Sequence, residues 1–153
     1  MRSGILIVGL LCLMIIYGCG GGAATQQTAQ TSDNRPCVQN LTTEGSYVSG
    51  RIFKTHQLVR NVSKSDAMVR AARYIAAEGF LINSIDKELG LISASQGVTV
   101  ASRGGKTLPL NVSIQPVEDR LNVSLSFSVP GGITVSGGGL INTFCSIIEA
   151  IEK

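Results

Sequence analysis

The cysteines Cys12, Cys19, Cys37 and Cys145 and the single histidine, His56, are the residues whose types most readily suggest metal binding, redox exchange or nucleophilic attack. Their spacing argues against most of that chemistry. A zinc site needs four N or S ligands in short paired spacings. Here one histidine stands far in sequence from every cysteine. A Ser-His-Asp arrangement is set by geometry rather than order, so His56 could enter one. No Gly-x-Ser-x-Gly elbow accompanies it. Ser102 to Thr107, "SRGGKT", ends like a phosphate loop but lacks the first glycine and a following amphipathic helix, so a hairpin turn is expected there. No catalytic residue, cofactor site or metal site is predicted.

The position of Cys19 points elsewhere. Ile5 to Ile16 is a short apolar run preceded by Arg2 and ended by small residues. A membrane span needs about 20 apolar residues, so residues 1–18 fit a cleaved signal peptide better. "IYGC", Ile16 to Cys19, then resembles the bacterial lipobox. Gly18 and Cys19 match its usual form, Ile16 is a tolerated variant, and Tyr17 is less typical. The resemblance implies lipid on Cys19, which becomes the first residue of the mature chain. Several acyl chains anchor stably where one binds marginally. With Gly20 rather than Asp after the cysteine, the resemblance further implies an outer-membrane anchor facing the periplasm.

From Gly20 to about Ser46 the chain is small and polar with no apolar period, so 19–46 is expected to be a lipidated cysteine and flexible tether. A coil of about 25 residues spans roughly 25–30 Å. Cys37 and Cys145 remain as a pair. In an oxidising periplasm they would form a disulfide; alternatively both are free thiols, with Cys145 a small core residue on an apolar helix face.

The rest, 47–153, predicts a single α+β domain. Length, 153 residues, allows one. Tyr47 to Val59 has strand composition, with Phe53 and Val59 on one face and Ile52 and Leu58 on the other. Ser63 and Asp66 resemble a capping box at the start of a helix whose apolar stripe is Met68, Ala71, Ala72, Ile75 and Ala76. Gly79 ends it. Phe80–Ile85 and Leu91–Gln96 predict two strands around an acidic turn. Thr107–Val117 and Arg120–Val129 alternate with period two and predict a hairpin with one wet face. Pro109 and Pro116 predict that the first of these strands is an edge or is bulged. Pro130 to Gly139 is expected to be a loop. Leu140 to Lys153 is a helix with a wide apolar face.

The order is β-α-β-β-β-β-α, with a mainly antiparallel sheet packed on the C-terminal helix. That order resembles the helix-grip fold. Ser63 to Gln96, containing "AARYIAAEGFLINSIDKELGLISAS", is similar to helix-grip domains of bacterial lipoproteins, among them the lipoprotein C subunit of the outer-membrane β-barrel assembly machinery. The likeness is one of structure; it implies the fold and carries no partner with it.

Arg51, Lys54, Arg60, Lys64, Arg70 and Arg73 form a basic stretch broken only by Asp66. It is either a solvated face or a patch for anionic headgroups or an acidic partner. The formal net charge is +3, and loss of Arg2 with the signal leaves +2, too little for nucleic acid. The expected function is a membrane-anchored, non-catalytic interaction or scaffolding module of the cell envelope with a protein partner. The alternative is a small apolar ligand or lipid held between sheet and last helix, in a cleft lined by Phe127, Phe144 and Ile148.

Overall fold

The computed structural model describes residues 33–100 and 104–153. The segment expected to be a signal peptide, Cys19 and most of the expected tether lie outside the described residues, as does the Ala101–Arg103 part of the "SRGGKT" connection.

Six strands form one antiparallel sheet. In chain order the elements are α1 (Pro36–Gln39), β1 (Thr42–Ser46), β2 (Gly50–Val59), α2 (Lys64–Ala77), β3 (Leu81–Asp86), β4 (Leu91–Val100), β5 (Gly104–Val117), β6 (Arg120–Val129) and α3 (Gly137–Glu152). The spatial order is β1-β2-β6-β5-β4-β3. From Tyr47 onward the chain order, β-α-β-β-β-β-α, is the one expected from the sequence.

The alternation of β6 decides the layering. Leu121, Val123, Leu125, Phe127 and Val129 are buried, while the residues between them are half-exposed. Cross-strand pairing carries the same face across the sheet, so that Phe53, Phe127, Leu110 and Ala94 stand side by side on four strands. α2 and α3 pack on this face and on each other. α3 contributes Leu140, Phe144, Cys145, Ile147, Ile148 and Ile151 to the core. α2 contributes Ala67, Met68, Ala71 and Ile75. Ala76, assigned to the stripe from its spacing, is exposed, and Ala67 takes its place.

The helix ends follow their local chemistry. Ser63 Oγ accepts from the Asp66 backbone N–H at 3.1 Å and donates to its carboxylate at 2.7 Å. Gly79, at φ +83, closes α2 as Phe80 N–H reaches Ile75 O and Gly79 N–H reaches Ala76 O, the two bonds of a Schellman turn. Arg70 Nη1 donates to Ile151 O at 3.0 Å, so a cation from α2 caps the C-terminus of α3.

Three expectations need correction. The tether does not run to Ser46: α1 and β1 lie inside it, and the fold begins before Tyr47. β1 pairs with β2 from Thr42↔Lys54 to Ser46↔Gly50. Cys37 is bonded to Cys145, with 5.4 Å between Cα atoms, and both are buried. Second, β5 is not an edge strand. It lies between β6 and β4, yet its prolines obey the same rule locally. Pro109 pairs with Ser95 of β4 where pairing to β6 has not begun, and Pro116 pairs with Leu121 of β6 where pairing to β4 has stopped. Each proline therefore sits where β5 has one hydrogen-bonded neighbour and a missing N–H is tolerated. Third, Gly137–Gly139 belong to α3, whose N-cap is Ser136.

Candidate functional site

The sheet has helices on one face. The other face is hollowed into a groove of about 920 Å³ that reaches from Asn40 and Thr42 at one side to Ser84 and Asp86 at the other. Its floor is built by register. Lys54, Ser126, Asn111, Ser93 and Ser84 are direct cross-strand partners in β2, β6, β5, β4 and β3. A second row runs His56, Ser124, Ser113, Leu91, Asp86. Short serine side chains on β6, β5 and β4 leave the middle of the face low.

A bulge completes the rows. In β3 the register shifts between Ile82 and Ser84, so Asn83 is extra. A one-residue shift exchanges the faces of a strand. It places Ser84 opposite Ser93 and Asp86 opposite Leu91, on the groove side. Without the bulge Ile85, and not Asp86, would stand opposite Leu91. The sequence carries no direct mark of it.

The groove walls are fixed by hydrogen bonds. Asn40 Nδ2 donates to His56 O at 2.8 Å, tying α1 to β2. Lys54 Nζ sits on both Glu44 carboxylate oxygens at 2.8 and 2.9 Å, so its charge is met within the sheet. At the far side Asp86 Oδ1 accepts from Leu89 N–H at 2.8 Å, and Gln115 Nε2 donates to Leu89 O. The same turn docks on β5 through Ile114 N–H to Gly90 O at 2.8 Å. Gly90 is at φ +65, and a Cβ there would meet Ile114 O and the Lys64 side chain. Asn122 Oδ1, also on the groove lining, is buried with no hydrogen-bond partner among the described residues.

His56 lies in this groove with Ser124 as its cross-strand neighbour. The carboxylate of that row, Asp86, is four strand spacings away, about 19 Å along the sheet. Among the described residues no group of three or more His, Cys, Asp or Glu side chains is placed to hold a metal ion.

The basic stretch is dispersed. Arg51 lies over the Phe53 ring at 5.4 Å, while Lys54, of opposite parity on β2, faces the groove. Lys64 Nζ donates to Glu88 O at 2.7 Å and Arg70 caps α3. Arg60 and Arg73 are exposed, one just past β2 and the other on α2. The six do not form one face, because strand alternation and the turn into α2 send them in different directions.

The cleft expected between sheet and last helix is largely filled: Phe127, Phe144 and Ile148 are all buried. A smaller depression of about 300 Å³ opens where the start of α3 meets β4, β5 and β6. Phe80, Val98, Phe127 and Phe144 line it, and Ile148 does not. Phe80 and Phe127 meet edge to face with ring centroids 6.2 Å apart.

Near the start of the described chain, Asp33 is held below the usual carboxylate range, first by the side-chain hydrogen bonds from Arg35 and then by its backbone N–H. Arg35 also reaches Glu149 of α3 at 3.4 Å.

No protein-family model and no curated protein matches this sequence. Among solved structures the chain is similar to EF2215, a conserved protein of unknown function from Enterococcus faecalis, at 9% identity and a TM-score of 0.46, covering 76% of this chain and 77% of that one.

Proposed function

We propose that this chain is a lipid-anchored, non-catalytic interaction module of the bacterial cell envelope, and that the groove face of its sheet is the binding surface. One observation carries the reading. Both long helices lie on one face of the sheet, and the opposite face presents aligned polar side chains around a hollow of about 920 Å³. A filled core and an open face favour a docking surface over an internal carrier.

Two further features support it. The Cys37–Cys145 bond suits an oxidising compartment outside the cytosol, in keeping with the lipobox-like Cys19. And His56 has Ser124 as its cross-strand neighbour, while the carboxylate of that row, Asp86, stands four strands away, too far to orient the ring as a nucleophile–base pair requires. Lipid on Cys19 would lie 14 residues before Asp33, where the described domain begins.

The test is metabolic labelling with a palmitate analogue, combined with envelope fractionation of the wild type and Cys19→Ala. Label and membrane recovery in the wild type alone support the anchor. Equal recovery of both in the soluble fraction contradicts it. A second reading, a small apolar ligand at the 300 Å³ depression, is favoured by its lining of Phe80, Phe127 and Phe144. Enlarging Gly139, which also lines it, to Leu would block that ligand and leave groove binding intact.

A further inference from the structure

We propose that the groove takes a linear, uncharged glycan laid across the strands. This rests on the reading of the groove face as the binding surface and names its ligand class. Adjacent strands stand about 4.8 Å apart, so each row offers one side chain per strand interval and extends about 19 Å from β2 to β3. That repeat is comparable with the advance of one sugar ring in an extended chain. The row Ser126, Asn111, Ser93, Ser84 is in direct register. Hydroxyls and carboxamides both donate and accept, and a sugar ring bearing hydroxyl groups does the same.

The alternatives fit less well. Phosphate or carboxylate polymers only accept, and need cations free to donate. The Lys54 ammonium, on the groove wall, is already held by Glu44. Protein interfaces concentrate aromatic residues, Met and Arg at their centre and are depleted in Ser. This floor has serine and asparagine there instead, beside the aliphatic Leu91, Ile92, Val112 and Leu125.

The experiment is calorimetric titration of the full chain, in mild detergent, with cellohexaose and chitohexaose. The variant Asn111→Leu with Ser126→Val changes only groove-side positions, and its melting curve checks that it folds. Saturable binding of at least one glycan, with Kd raised tenfold or more in the double variant and unchanged in Ser65→Ala on α2, is the expected result. No binding of either glycan, or an unchanged Kd in the double variant, overturns the proposal. A photo-crosslinker at Ser124 separates the two levels. A specific protein adduct without glycan binding removes the glycan but keeps the face, and neither adduct nor glycan removes both.

Discussion

Cys37 in α1 is covalently joined to Cys145 in the middle of α3, 108 residues away in sequence. The bond decides where the domain begins. It holds a four-residue helix that could not persist alone, and Thr55 Oγ1 adds a 2.6 Å hydrogen bond to Cys37 O. Closing so long a loop stabilises by about 4–5 kcal/mol in the chain-entropy model. The Cys37→Ala, Cys145→Ala double variant is expected to lose about 2–5 kcal/mol in urea unfolding. Under reduction, limited proteolysis should reach the 33–46 segment first. Equal protease resistance with and without reductant would contradict this.

Gly90 closes the β3–β4 turn against β5. Gly90→Ala imposes a left-handed conformation on a residue with a side chain and pushes its Cβ at Ile114 O. A loss of about 1–3 kcal/mol is expected, with selective loss of amide-exchange protection at Ile114. Gly79→Ala is also at positive φ, at +83, but meets open space. It should cost less, which separates backbone strain from the clash.

Arg70→Met removes the guanidinium from Ile151 O while keeping much of the aliphatic stem. The expected loss is about 1–2 kcal/mol. Fraying confined to the last turn of α3, seen as faster amide exchange at Ile151, is the signature that distinguishes a lost cap from general destabilisation.

Asp33 carries a depressed pKa because Arg35 bonds its carboxylate. Its contribution to stability is therefore fully present above the ordinary Asp value of about 3.9 and is lost as pH falls through the lowered folded value. In Arg35→Met the Asp33 carboxyl carbon should titrate at higher pH by NMR. An unchanged midpoint would show that Arg35 is not the cause.

Much of the fold is legible in the sequence because its signals are local. The period of β6, the stripe of α3, the Ser63 cap and the Gly79 stop each depend on neighbours within a few residues. β1 is not legible: "TTEGS" has no apolar alternation, is mostly exposed, and exists as a strand through its pairing to β2. Cys37 and Val38 are the only buried residues of α1, and a disulfide pairing is not readable from spacing alone. The prolines of β5 report a constraint that is local to its two ends and does not extend to the whole strand. The groove was half visible. Alternating Ser and Asn in Arg120–Val129 mark a wet face, but its hollow depends on strand order and on a bulge at Asn83, both non-local.

The central claim is that the groove face, and not the helix face, is what the protein uses. A photo-crosslinking residue at Ser126 on the groove floor, compared with one at exposed Ser65 on α2, tests it in living cells with the full chain. A discrete adduct from Ser126 that is absent from Ser65, and that Asn111→Leu abolishes, is the predicted result. Adducts from Ser65 alone, or adducts from neither position together with no glycan binding in the titration, would contradict the account.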